Sequence, residues 1–118
     1  MKRSEKFYDE QERRVNEFLK NCGGKNDSEI EDAWCKCLEE NLQFPFEAEI
    51  IDEPGTLEVG DVIKVTGIDG VYDLYGIVVN ARMGRKKYPF PLCLLELVEK
   101  ASRNHQLVDD YNSWFSNR

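Results

Sequence analysis

The 118-residue sequence lacks the features that would place it in several common classes of protein. No apolar run approaches the roughly 20 residues that a transmembrane helix needs. The charged N-terminal residues also lack the apolar stretch of a signal peptide. In a chain without such a signal, the four cysteines predict reduced thiols and not a disulfide framework. We therefore expect a cytoplasmic protein with no membrane partner.

Groups for covalent or zinc chemistry are also scarce. His105 is the only histidine, so a nucleophile and its base would have to come from scattered residues. Cys35 and Cys37 are two residues apart on a predicted helix and point in nearly opposite directions, so they cannot share one tetrahedral zinc ion. We expect a protein that is not an enzyme.

Basic residues are almost missing from the middle of the chain. The segment 26–73 contains 14 of the 23 acidic residues, and only Lys36 and Lys64 oppose them. Like charges held close together on a folded body raise its energy through repulsion, and a hard divalent cation can relieve that repulsion. The pattern therefore predicts a divalent metal ion as the partner and argues against nucleic acid.

Apolar periodicity predicts an α+β protein formed by one domain, 1–118. Its parts are an appended N-terminal helix within 1–25, a helix over 28–43 opened by a Ser28–Glu31 capping box, β-structure over 44–98 and a C-terminal helix over 102–116. In 46–50, apolar residues alternate with carboxylates, which is typical of a half-buried strand. Short strands one turn apart predict an antiparallel meander that curls into a small SH3-like β-barrel.

A buried tryptophan followed by a Phe-Pro-Phe-Glu-Ala segment identifies a resemblance to a known family. Trp34 and 41–49 resemble the CcbP-like calcium-binding proteins of cyanobacteria and other bacteria. Four later segments also fit, namely 60–65, 75–77, 90–96 and 109–115, so that the resemblance covers about 28–118. It implies a small acidic intracellular protein with an SH3-like barrel. Such a protein would bind and sequester Ca²⁺ through surface carboxylates.

The calcium ligands must be sought outside an EF-hand, because the segment 69–73 lacks the oxygen ligand at its third position and the closing glutamate. In an SH3-like meander, the loops after the first and second strands lie at the same end. We therefore expect one ion to be held by carboxylates of both loops: Asp52, Glu53, Glu58, Asp69 and Asp73.

Three alternatives remain open at this stage. The first is a second acidic ridge, formed by Glu39, Glu40, Glu47 and Glu49, whereas the adjacent Asp109 and Asp110 diverge on a helix and are a weaker metal candidate. The second is that the loop acids are simply solvated. The third is a metal-free SH3-like interaction module that docks a basic protein partner on its acidic surface.

Overall fold

The computed structural model describes residues 2–52 and 57–118, with side chains from residue 10 onward. Helices occur at both ends of the described chain and strands lie between them. The helices are α1 (Lys2–Cys22), α2 (Asp27–Asn41) and α3 (Arg103–Asn117), and the strands are β1 (Phe46–Ile50), β2 (Val62–Tyr72), β3 (Gly76–Met83), β4 (Lys86–Pro91) and β5 (Leu95–Leu97). The predicted α+β class is confirmed.

Helix α2 begins two residues earlier than the predicted capping box. The side-chain oxygen of Asn26 accepts the backbone N–H of Glu29 at 2.9 Å, and the Glu29 carboxylate accepts the N–H of Lys25 at 2.7 Å. Asn26 is therefore the N-cap, with Glu29 bonded to the residue before it, and the expected Ser28–Glu31 box was wrong. Glu31 is instead buried, with 7% of its surface exposed.

The five strands form one antiparallel sheet with the order β4-β3-β2-β1-β5. The predicted meander is found in β1 to β4, whereas β5 returns to pair with the other side of β1. The predicted fourth strand, 91–98, is divided by a 3₁₀ turn at Leu92–Leu94. A closed SH3-like barrel is not confirmed, because β4 and β5 remain unpaired edges among the described strands.

The two edges are protected by other means than closure. Pro89 and Pro91 lie in β4 and provide no N–H groups, so this edge is a poor template for another strand. Strand β5 is only three residues long. A small sheet with such edges can stay open without pairing with the edge strand of another molecule.

The hydrophobic core lies between the sheet and the helices, with Trp34 of α2 near its middle. The ring of Phe18 stacks on Trp34 at 3.8 Å between centroids, and Tyr111 meets it edge-on at 5.9 Å. Each large aliphatic side chain that is fully buried stabilises the fold by about 1.5–3 kcal/mol. The fully buried ones from the sheet are Ile50, Ile63, Val65, Ile77, Val79, Leu95 and Leu97.

A partly buried ion pair joins α1 to α3. The guanidinium of Arg14 donates to both carboxylate oxygens of Asp110, at 2.9 and 3.1 Å. The amide of Gln11 donates to the same carboxylate at 3.1 Å and to Asp109 at 2.7 Å. The two adjacent aspartates that we weighed as a metal candidate therefore serve helix packing.

A second buried network joins α2, α3 and β3. The hydroxyl of Tyr111 donates to the Glu31 carboxylate and accepts the backbone N–H of Ile77 at 3.0 Å. Gly76 has φ +68°, and a Cβ there would come within 2.5 Å of the Tyr111 hydroxyl and of the Phe115 ring. Burial raises the pKa of Glu31, although its contact with Tyr111 opposes that rise.

Candidate calcium site

The loop between β1 and β2 contains three of the predicted ligands. Glu53 lies outside the described residues, whereas Asp52 and Glu58 lie on the two arms of the loop and are exposed. The Glu58 arm is held by a tight turn: Asp61 N–H donates to the Glu58 carbonyl at 3.1 Å, and Glu58 N–H donates to the Asp61 carboxylate at 3.2 Å. Gly60, with φ +97°, completes this turn. The turn fixes the backbone beside Glu58.

Asp69 lies within strand β2 and not in the loop that we predicted. The pairing of β2 with β3 shifts between Ile68, opposite Val79, and Gly70, opposite Val78. Asp69 is the extra residue of this β-bulge. Bulges redirect a side chain out of the regular alternation of a strand. The sequence gives little sign of this, because the bulge is defined by pairing with β3.

The redirected Asp69 carboxylate has a hydrogen-bond partner. It accepts the hydroxyl of Tyr72 at 2.5 Å, and this contact raises the pKa of Tyr72. Asp73 follows in the turn between β2 and β3 and is exposed. Asp69 and Asp73 therefore belong to one strand end, although only Asp69 has its position fixed by a side-chain contact among the described residues.

One open cavity of about 820 Å³ brings the loop and the outer half of β2 together. Leu57, from the β1–β2 loop, and Asp69, from β2, both line it. Tyrosine, proline and aliphatic side chains form most of the remaining wall. We call this cavity the tyrosine groove; its lining residues are Leu57, Asp69, Tyr72, Tyr75, Val78, Asn80, Tyr88, Pro89, Phe90, Pro91 and Leu94.

Two side chains of the groove wall offer oxygen ligands of the kind that a hard cation prefers. Ca²⁺ prefers oxygen ligands, and the wall offers the Asp69 carboxylate and the Asn80 side-chain amide. Among the described residues, no lysine or arginine lines the groove, so none of them brings a competing positive charge to the wall. Glu58 and Asp73 directly follow the lining residues Leu57 and Tyr72 in the chain, and both are exposed. Asn80 was absent from the predicted ligands, because its proximity to Asp69 depends on the pairing of β2 with β3.

The described side chains do not form a ready-made metal cluster. Within 10–52 and 57–118, no three Asp, Glu, His or Cys side chains converge on one point. Glu53 falls in the gap between these ranges. A calcium ion at the groove would therefore also need the predicted ligand Glu53, rearranged side chains, backbone carbonyls or water.

The second predicted ridge is divided by the sheet. Glu47 and Glu49 of β1 point to the exposed face, whereas Ala48 and Ile50 point into the core that α2 covers. Glu39 and Glu40 belong to α2 and so lie on the opposite side of the sheet from the two β1 glutamates. The structure does not bring the four together.

The two β1 glutamates have charged residues opposite them on the neighbouring strands. Glu96 of β5 lies directly opposite Glu49, and Lys64 of β2 lies directly opposite Glu47. Like charges directly opposite one another in a sheet are destabilising. Glu96 forms an ion pair with Lys100, which offsets part of that repulsion. Glu96 was missed from the sequence because β5 was predicted only as part of a longer strand.

The four cysteines are free thiols that are half-buried. Burial and a hydrogen bond to Glu39 raise the pKa of Cys35 to about 11, so this thiol stays protonated at neutral pH. A protonated thiol is a poor metal ligand and a poor nucleophile. The described helices include none that is long and apolar enough to span a membrane.

Comparison with known proteins gives two structural neighbours. One is the crystal structure of Anabaena CcbP, with 18% identity, a TM-score of 0.64 and coverage of 80% of each chain. The other is a calcium-binding protein in its calcium-binding form, with 16% identity, a TM-score of 0.67 and coverage of 91% of this chain and 90% of the other. At these identities the two neighbours establish the fold.

The family of the chain follows from its sequence. No curated protein matches it significantly. The CcbP family, which is described as calcium binding, matches residues 10–115. This match spans most of the chain and includes all the predicted ligands. The chain therefore belongs to the CcbP calcium-binding family.

Proposed function

We propose that this protein binds and sequesters Ca²⁺ in the cytoplasm through carboxylates at the tyrosine groove, as a calcium buffer or a modulator of calcium signalling. The main observation in support is the bulge that turns Asp69 into a cavity shared with the β1–β2 loop. The proposed ligands are Asp52, Glu53, Glu58, Asp69 and Asp73. Glu47 and Glu49, together with Glu96, form the alternative calcium site on the exposed face of β1.

The physical reason is electrostatic. The segment 26–73 carries 14 acidic and two basic residues, so the carboxylates on its folded form have little positive charge to oppose them. A bound Ca²⁺ supplies two positive charges that oppose them. The bulge holds Asp69, the Glu58–Asp61 turn holds one arm of the loop, and exposed acids can adjust around them. Ca²⁺ tolerates such irregular geometry better than Mg²⁺, which demands a near-octahedral shell.

The proposal includes no catalytic reaction and no nucleic-acid or membrane partner. The family is a calcium-binding family and not a known enzyme family. A role in binding, without turnover, agrees with a Cys35 thiol that stays protonated.

Calorimetric titration with Ca²⁺ and with Mg²⁺ tests the proposal. We expect Ca²⁺ to bind more tightly and to stabilise the fold by about 2.7 kcal/mol at 100 times its Kd. Asp69→Asn removes one charged ligand and should weaken binding about tenfold or more. Asp32→Asn, on the exposed side of α2, changes the net charge equally and should leave the affinity nearly unchanged. No heat and no stabilisation with millimolar Ca²⁺ would reject the proposal.

A second candidate function is a metal-free interaction module for a basic protein partner. The observation that favours it is the apolar wall of the tyrosine groove, because a calcium ion binds oxygen ligands and makes no use of apolar surface. Partner binding that is equally strong with and without a calcium chelator, combined with no Ca²⁺ binding, would favour this candidate.

A further inference from the structure

We propose that the tyrosine groove binds an extended, proline-containing segment of a partner protein, and that a basic side chain of this segment pairs with Asp69. Binding in the absence of Ca²⁺ does not depend on the calcium function proposed above. Only the competition between the two ligands rests on it.

Exposed apolar surface is concentrated on one side of the groove. Tyr72 and Tyr75 line the groove and have 48% and 55% of their surfaces exposed. Both rings therefore offer exposed apolar surface at the groove wall. Clustered apolar surface of this kind marks interaction sites. Tyrosine is suited to such a site because it offers a large rigid ring with a polar end.

The edge strand beside the groove restricts the way in which a partner can bind. Pro89 and Pro91 of β4 line the groove and have no N–H groups. A peptide that adds to a sheet edge as a strand needs these donors. The occupant must therefore be recognised through its side chains.

A polyproline II segment meets this requirement. It is extended, it has no internal hydrogen bonds and its conformation is largely fixed before binding. Segments of this kind dock their proline rings between aromatic side chains. Tyr72, Tyr75 and Tyr88 supply three such rings around one groove.

The charge of the groove selects a basic residue in the partner. Asp69 is the only charged side chain among the described residues of the wall, and the hydroxyl of Tyr72 fixes one of its oxygens at 2.5 Å. Glu58 and Asp73 also have exposed carboxylates, and each directly follows a lining residue in the chain, namely Leu57 and Tyr72. An arginine in the segment can use its paired N–H groups on such a carboxylate.

Ca²⁺ and the partner then compete for Asp69. Each ligand must weaken the other by the same factor, because the coupling free energy between two binding events is reciprocal. A rise in Ca²⁺ would release the partner, and a fall would allow it to bind.

The test is a titration of ¹⁵N-labelled protein, in a calcium chelator, with a ten-residue peptide that carries Pro-x-x-Pro followed by arginine. We expect amide shifts confined to the groove residues. Two further peptides, one with glutamate for the arginine and one with alanine for both prolines, should each bind at least about tenfold more weakly. Equal binding of the three peptides would overturn the proposal.

Two variants make the test specific to the groove. Tyr75→Ala should weaken the arginine peptide at least about tenfold. Leu74→Ala removes a more exposed side chain of the same hairpin, which does not line the groove, and should bind normally. Equal affinities of the two variants would overturn the proposal. Unchanged melting temperatures show that both variants fold.

Addition of Ca²⁺ separates this proposal from the calcium function. If Ca²⁺ weakens peptide binding, the result supports both the peptide groove and the calcium function. Peptide binding that Ca²⁺ leaves unchanged supports the peptide groove and rejects Asp69 as a calcium ligand. Ca²⁺ binding without any peptide binding rejects the peptide groove alone.

Discussion

The carboxylate of Asp69 accepts the hydroxyl of Tyr72 at 2.5 Å, three residues along the same strand. This contact raises the pKa of Tyr72, because ionisation would remove the donated proton and place a phenolate beside a carboxylate. The Tyr72 phenol therefore reports on the charge at Asp69.

The first prediction uses that reporter. Ca²⁺ bound at Asp69 neutralises the carboxylate, so the pKa of Tyr72 should fall when saturating Ca²⁺ is added. Ultraviolet absorbance of the phenolate, taken as the difference between the protein and Tyr72→Phe, measures it. A Tyr72 pKa that Ca²⁺ does not move would mean that the ion binds elsewhere.

The second prediction concerns the ion pair between α1 and α3. Arg14→Ala leaves the buried Asp110 carboxylate with Gln11 as its remaining partner among the described side chains. We expect the free energy of unfolding to fall by about 1.5–3 kcal/mol, the usual range for hydrogen bonds to charged groups. Urea unfolding measures this loss, and Arg13→Ala, at an exposed neighbouring position, is the matched control. Equal stabilities of the two variants would show that the pair contributes nothing.

The same unfolding curves test the domain organisation. One core contains Val15 of α1, Trp34 of α2 and Trp114 of α3 together with the strands. We therefore propose that the chain 1–118 unfolds as one domain with its N-terminal helix attached. A separate early transition of α1 would contradict this proposal.

The third prediction is a pH dependence of stability that arises from Glu31. Burial raises its pKa above the ordinary value of 4.5, so the folded state holds this proton more tightly than the unfolded state does. Stability from this group is present below pH 4.5 and is lost as the pH rises from there through the folded pKa. The charges around Glu31 are Arg118, which opposes the rise, and Asp27 and Asp32, which add to it.

The Glu31→Gln substitution isolates this effect, because the new amide oxygen can still accept the Tyr111 hydroxyl. We expect the two proteins to have similar stabilities at about pH 4, and the substituted protein to gain stability relative to the parent as the pH rises towards about 7. Denaturant unfolding at a series of pH values measures the difference. Parallel pH profiles would contradict the prediction.

The fourth prediction concerns Gly76. Gly76→Ala places a Cβ in a left-handed conformation and within 2.5 Å of Tyr111 and Phe115. Gly84→Ala has a similar φ of +63° but open space around the new atom, so it isolates the backbone cost of about 1–2 kcal/mol. We expect Gly76→Ala to cost about 1–3 kcal/mol more than its control. Equal losses of stability in the two variants, measured by thermal unfolding, would show that Tyr111 and Phe115 move to accommodate the new Cβ.

Local patterns in the sequence predicted local structure. The alternation over 46–50 predicted β1, and the apolar pattern predicted a C-terminal helix over 102–116, which Ser102 caps. The Ser102 hydroxyl accepts the N–H of His105 at 3.1 Å. Both features depend on residues a few positions apart, which the sequence displays directly.

The features that define the candidate site depend on distant residues instead. Asp69 leaves the expected loop because its strand pairs out of register with β3. Glu31 is buried because Tyr111, 80 residues away, donates a hydrogen bond to it. Glu96 lies beside Glu49 only because β5 returns to β1. None of these pairings has a sequence signal within one segment, so Glu31 was assigned to a capping box and Glu96 was omitted from the candidate ligands.

Amide chemical shifts during a Ca²⁺ titration test the central claim most directly, namely that carboxylates from the β1–β2 loop and the outer half of β2 hold one ion. We expect saturable shifts in 57–61 and 69–75, which Asp69→Asn weakens about tenfold. Shifts confined to Glu47, Glu49 and Glu96, unchanged by Asp69→Asn, would contradict the account and move the ion to the exposed face of β1.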